Sequence, residues 1–220
     1  MTLSTQRYVR GVRAGLPVTG PLLLIAISFG VLARGLGWGV AAPTIMSIVV
    51  FSGSAQFAVA GVLGAGGSAG AAIATAALVN ARFLPMSVSV TPFLRGNRLR
   101  RAIEAQSVVD AGWALSRGDD GTFDREFLIG FFLAMVPAWV GGTLVGTLVG
   151  SSIGRLETFG LDAVFPAFFL ALLADELHDP DSRRVAVLAA AITLVLLPFA
   201  PAGIPVVAAT AAVFATRSTP

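Results

Sequence analysis

The chain has 220 residues, of which 55% are hydrophobic and only 12% charged, with a mean hydropathy of +0.84 and a formal net charge of +3. Soluble domains hold about 25% charged residues, so this composition, with apolar runs near 20 residues, excludes an ordinary soluble domain and indicates an integral membrane protein. The absence of cysteine excludes disulfides and thiolate metal sites, and continuous apolar blocks exclude the alternation of a membrane barrel.

Every basic side chain other than the single histidine is arginine. The apolar bulk leaves no basic face for nucleic acid. Residues Met1 to Ala14 carry Arg7, Arg10 and Arg13, and the apolar block Leu16 to Ala33 follows. That block is long for a signal core and several more follow, so it reads as a first membrane helix that starts on the cytoplasmic side. Arg34 to Gly39 reads as an outside turn, with Trp38 suited to the interface.

The second segment, Val40 to Leu63, contains Phe51-Ser52-Gly53-Ser54-Ala55-Gln56-Phe57. A buried amide or hydroxyl without a partner costs roughly 2–7 kcal/mol in an apolar medium. These groups therefore bond to a neighbouring element or face a polar cavity. Ser47 and Ser54 share one helical face while Ser52 and Gln56 point the other way, which favours a helix interrupted near Gly53.

The third segment, Ser68 to Leu94, is broken at Asn80-Ala81-Arg82-Phe83-Leu84-Pro85. An intramembrane arginine marks a functional position unless the break lets it snorkel to an interface. The run from Arg95 to Arg101 holds four arginines and belongs in the cytoplasm. An even number of crossings must precede it. A re-entrant pair of half-helices over Ser68–Leu94 satisfies that count, because broken backbone is tolerated where protein or a cavity surrounds it.

Residues 102–126 read as a polar connection with a turn at Gly118-Asp119-Asp120-Gly121. Phe127 to Val149 is the next membrane helix, expected to be interrupted at Pro137, and it ends on the small-residue series Gly142, Gly146, Gly150. Leu161 to Ala174 is a fifth segment, marked by Asp162 and Pro166. His178 opens a second polar loop, and Val185–Phe199 and Ile204–Ala215 close the chain, each short for a span alone.

The expected architecture is an all-α integral membrane protein of about seven hydrophobic segments, six to eight in range, with interrupted helices. It forms one transporter domain over 1–220. A weak correspondence of segments suggests duplicated halves, 15–95 and 127–216, joined by the polar loop 95–126. Carriers built from such halves hold substrate at interrupted helices near the midplane.

With these residues placed, the chain resembles the AzlC family, the large subunits of bacterial branched-chain amino acid exporters. The resemblance runs from about Gly15 to Ala209. It rests on Gly15-Leu16-Pro17 with Phe29-Gly30, on Phe51 to Phe57, on Val79-Asn80-Ala81-Arg82, and on Leu161-Asp162 through Phe165-Pro166-Ala167. Phe83 stands where the family usually has histidine and Met86 where a tyrosine often stands. The acidic pair after the basic loop is reduced to Asp110 followed by Ala111. The resemblance implies a bacterial cytoplasmic (inner) membrane location with several passes, no cofactor, no metal, and a second, much smaller AzlD-like membrane subunit of about four helices.

Read together, Ser52, Gly53, Ser54 and Gln56 are candidates to bind the amino and carboxylate groups of a small hydrophobic amino acid, with Asn80 and Arg82. Helix–helix hydrogen bonding is the structural alternative for the first four. Asp110 and Asp162 are candidate counter-ions or coupling groups, and Asp162 equally suits a helix cap. His178 reads as an ordinary solvated loop residue. No phosphate-binding Gly-rich motif is present, and no base is placed for a serine nucleophile, so no enzyme is expected. The expected function is secondary export of branched-chain or similar amino acids. Import of the same substrates, or a passive channel or scaffold role, are the alternatives.

Overall fold

The computed structural model describes residues 3–151, 170, 173–174, 177–200 and 204–213. Among them the secondary structure is helical and no strand is formed. In chain order the helices are α1 (Leu3–Gly35), α2 (Ala41–Val49), α3 (Gly53–Gly64), α4 (Ala69–Asn80), α5 (Phe83–Val90), α6 (Arg98–Ala105), α7 (Asp110–Ser116), α8 (Arg125–Val149), α9 (Pro180–Leu196) and α10 (Ile204–Ala209). Two of them, α1 and α8, are long and apolar enough to cross a membrane. The segment expected over Leu161–Ala174, with Asp162 and Pro166, lies outside the described residues apart from Leu170, Leu173 and Ala174.

The chain forms two compact units. The first holds residues 3–51 and 81–151, and the second holds residues 52–80 and the described residues beyond 153. The chain passes between them at Phe51–Ser52 and at Asn80–Ala81.

In the first unit α1 and α8 lie side by side and run parallel. Gly11 faces the backbone of Phe127, Gly15 that of Phe131, and Gly30 that of Thr143 and Gly146. Gly130, Gly142 and Gly146 answer from α8 against Tyr8, Leu23 with Ala26, and Ile27. A side chain at these positions would fill the space the opposite backbone occupies, so glycine permits the close approach. The expected packing role of the α8 glycine series thus has its partner in α1.

The helix α1 has 33 residues, or about 50 Å at 1.5 Å per residue. It starts at Leu3, thirteen residues before the expected Leu16. Its polar first turns are held at the head of α8, where Arg10 donates to Asp124 at 2.7 Å and Arg7 lies 4.0 Å from the same carboxylate. Asp124 in turn caps α8 by accepting from the Phe127 N–H at 3.0 Å. The expected interruption at Pro137 is corrected. α8 runs unbroken through it, as α1 does through Pro17 and Pro21. Such prolines are tolerated where a neighbouring helix packs along the length.

α2 runs antiparallel to α8. Ser47 bonds Thr143 across 2.8 Å, and the Phe51 ring then rests between Phe132 and Trp139, with centroids at 4.6 and 6.4 Å. The chain is then about half-way down α8 and leaves the unit. It re-enters at Ala81, and α5 completes the descent: Val90 and Leu94 pack with Val108, Phe123 and Leu128 at the head of α8. Two half-helices, α2 and α5, thus do the work of one long antiparallel helix.

The connection 95–126 is more ordered than expected. Asn97 caps α6 by accepting from the Arg100 N–H at 2.9 Å, and the Trp113 ring N–H of α7 donates to the Ser89 hydroxyl of α5 at 2.9 Å. The turn at Gly118–Gly121 forms as expected, closed by the Gly121 N–H on the Gly118 carbonyl.

In the second unit α3 and α4 fold back on each other as a hairpin. Gly66, with φ 78°, makes the turn, and Val62, Ala71 and Ala72 form its small apolar core. The two halves of the expected segment Ser68–Leu94 therefore belong to different units: α4 pairs with α3, and α5 lies in the first. α10 packs against both α9 and α4. His178 lies in a turn and is exposed.

Candidate functional site

The break after α2 is made by a strained residue. Phe51 has φ 42° and is the one non-glycine residue with positive φ among the described residues. A bulky side chain there costs on the order of 1–3 kcal/mol and persists only where surrounding contacts hold it. The rings of Phe132 and Trp139 supply them. The interruption is expected from sequence near Gly53, but Gly53 begins α3 in ordinary helical geometry.

Ser52 is extended and caps α3, its hydroxyl oxygen facing the Ala55 N–H at 3.5 Å. The same hydroxyl donates to Asn80 Oδ1 at 2.7 Å and lies 3.4 Å from the Ser54 hydroxyl. Two residues far apart in sequence, on the opening and closing residues of one hairpin, are thereby tied together. Gln56, one turn into α3, is fully buried, and Ser52 and Ser54 are nearly so. Of the predicted site residues, Ser52, Gly53, Ser54, Gln56 and Asn80 thus lie together in the second unit.

Arg82 and Asp110 belong to the first unit. They form an ion pair at 3.1 Å, both partly exposed, and the Arg82 guanidinium sits 5.0 Å over the Phe83 ring. Arg82 precedes α5, and Asp110 opens α7. Beside them is a cavity of about 150 Å³. It lies between the end of α2 (Val49, Val50, Phe51), α5 (Phe83, Ser87) and the α6–α7 link (Ala105, Gln106, Val108, Val109). Gln106 fixes that link by donating to the Val49 carbonyl at 3.2 Å. Asp162, the other candidate counter-ion, lies outside the described residues. No cluster of metal-ligating side chains occurs among the described residues.

One charged centre is not anticipated by the sequence. Glu104 and Arg125 are buried and share a two-pronged ion pair, the shorter prong between Glu104 Oε1 and an Arg125 terminal nitrogen, the other from Arg125 Nε at 2.8 Å. Arg100 adds a bond at 3.0 Å, the Arg95 N–H another at 3.2 Å, and Arg125 also reaches Glu126 and the Tyr8 hydroxyl. The i,i+4 spacing of Arg100 and Glu104 is visible in the sequence, but the long-range partner is not. The Arg125 guanidinium is the chief reason the Glu104 carboxyl is lowered from 4.5 to about 2.

A carboxyl depressed on folding stabilises above its unfolded value and loses that contribution as pH falls through its folded value. For Glu104 the window runs from about 4.5 down to about 2, and the contribution is on the order of 3 kcal/mol at most. Glu104→Gln is expected to lower the melting temperature of the detergent-solubilised protein at pH 7. The gap to the wild type should close as pH falls through that window. A gap that stayed constant down to pH 2 would show that the ion pair contributes nothing.

The model of the AzlC protein family matches residues 17–153. An uncharacterized membrane protein of Helicobacter pylori is 27% identical over 80% of this chain and 78% of its own length. The branched-chain amino acid transport protein AzlC of Bacillus subtilis is 26% identical over 73% of this chain and 64% of its own length. The inner membrane protein YgaZ of Escherichia coli is 25% identical over 76% and 71%. No solved structure matches. The matched span takes in more than half of the chain and both broken helices, and the chain belongs to the AzlC family of membrane proteins.

Proposed function

We propose that the chain is a secondary transporter that exports branched-chain or similar small hydrophobic amino acids across the bacterial cytoplasmic (inner) membrane, working with a small AzlD-like membrane subunit. The observation that carries the reading is the pair of helix breaks closed by Ser52 and Asn80, with buried Ser54 and Gln56 beside them. Broken helices expose end groups with no partner in their own helix. Such ends serve charged substrates within a membrane, N–H groups for a carboxylate and carbonyls for an ammonium. The name of the Bacillus relative supports the substrate class.

The same reading accounts for the arrangement of the first unit. α1 crosses outward, and α2 with α5 crosses back, so Arg95–Arg101 returns to the side of Arg7 and Arg10 after two crossings. α8 then leaves from that side, parallel to α1. The duplication fits parallel halves: Pro21 and Gly30 of α1 have the same spacing as Pro137 and Gly146 of α8, and Gly30 faces Gly146. Val50-Phe51 before Ser52-Gly53 recurs as Val164-Phe165 before Pro166-Ala167. The full segment count, about seven by composition, and the single domain over 1–220 belong to this proposal.

The test is efflux of preloaded labelled leucine, isoleucine, valine and methionine from cells. The chain is expressed alone, with the small subunit, and as Gln56→Ala with the small subunit. Efflux that needs both subunits and falls at least tenfold with Gln56→Ala is the expected result. Uptake in place of efflux would reverse the direction, and equal efflux with Gln56→Ala would remove α3 from the site.

A further inference from the structure

We propose that the cavity in the first unit is a binding position separate from the one at α3: it receives the apolar side chain of a zwitterionic amino acid, whose charged groups there open the Arg82–Asp110 ion pair and replace it. This rests on the amino acid transport reading and names the part of the substrate that the first unit selects. Three observations carry it. The cavity measures about 150 Å³, a size at which an apolar protein cavity takes a benzene molecule. A branched four-carbon chain or a phenyl ring fits.

Most lining residues are apolar, and the polar side chains among them are Ser87 and Gln106. The ion pair stands at its edge: Arg82 precedes the lining residue Phe83, and Asp110 follows the lining residue Val109. A zwitterion offers a carboxylate to Arg82 and an ammonium to Asp110 in one step, so neither side chain is left as an uncompensated charge. A molecule with one charge can pair with only one of them and leaves the other to solvent, so it replaces half of the ion pair. The geometry thus selects for both charges beside an apolar side chain.

The chain contains no cysteine, so Ser87→Cys gives a single thiol inside the cavity. Its rate of modification by a small maleimide is measured on the purified two-subunit complex, with Gln106→Cys as a second position should the first fail to assemble. Val88→Cys, on the 72% exposed side of α5, serves as the outside control. L-leucine at saturation is expected to slow the cavity thiol at least tenfold and leave the control unchanged. Glycine, which has no side chain, should protect neither. 4-Methylpentanoate and 3-methylbutylamine, each with one charge, should need at least tenfold higher concentration than leucine.

Protection by glycine equal to that by leucine, or none by leucine, overturns the proposal. Leucine transport is followed after the same complex is reconstituted into sealed lipid vesicles. Transport without protection leaves the transporter reading standing and removes the cavity from it. Protection without transport keeps the cavity site and removes the transporter reading.

Discussion

Gly30→Leu is expected to abolish the folded protein, and Gly146→Leu to do the same. Any Cβ at Gly30 falls on the Thr143 carbonyl, and one at Gly146 falls on the Ile27 carbonyl. The obstacle is helix backbone on both sides, so no side-chain rotation relieves it. Forcing even a methylene into a packed interior costs about 1–3 kcal/mol, and separating two helices along their whole contact costs more. Gly20 lies on the same helix, and a Cβ there would meet nothing within 4 Å, so Gly20→Leu should leave the protein intact. The measurement is the monodisperse fraction after solubilisation, followed by thermal unfolding. Equal behaviour of Gly20→Leu and Gly30→Leu would refute the parallel α1–α8 contact.

Asn80→Ala is expected to reduce transport by tenfold or more while most of the protein still folds. The Ser52 hydroxyl is buried and loses the acceptor it holds at 2.7 Å. As a donor, Ser52 keeps only the long contact to the Ser54 hydroxyl at 3.4 Å; a buried hydroxyl without a good acceptor costs about 1–3 kcal/mol, and each 1.4 kcal/mol is about tenfold in a rate or an affinity. Ser52→Ala removes the same bond and the α3 cap together, the cap being worth about 1 kcal/mol. Because the two residues share one bond, the double variant should be clearly less impaired than the sum of the two single effects. Asn80→Asp keeps an acceptor oxygen and should recover part of the activity. Strict additivity in the double variant would show that the tie across the hairpin has no role.

The long helices and the breaks are legible from composition and from a few misplaced polar residues. Ser52, Gln56, Asn80 and Arg82 stand out as polar residues in otherwise apolar segments. What the sequence does not show is which residue bends. Gly53 is the natural choice by conformational freedom, yet Phe51 takes the positive φ because Phe132 and Trp139 grip its ring. Those rings come from a helix more than seventy residues later, which no local pattern reveals.

Pro137 misleads for a similar reason. A proline weakens a helix locally, but α1 packs along α8, which stays unbroken through that point. The helices α6 and α7 look like loop in the sequence because neither has an apolar face long enough to register against the membrane blocks. Their order comes from Glu104 meeting Arg125 and from Trp113 meeting Ser89, both long-range partners. Asn80 and Ser52 each stand out as polar residues at a break, and their pairing follows from the hairpin between them, not from either neighbourhood.

A chain that carries amino acids through a saturable, selective site at its broken helices differs from a pore in how flux depends on concentration. The most direct measurement is the dependence of labelled leucine efflux on internal leucine concentration, with D-leucine and L-alanine as competitors inside the cell. Efflux should saturate, L-leucine should be preferred over D-leucine by at least tenfold, and Asn80→Ala should weaken both features. Efflux that rises linearly with concentration and ignores handedness would contradict the account and identify a passive pore.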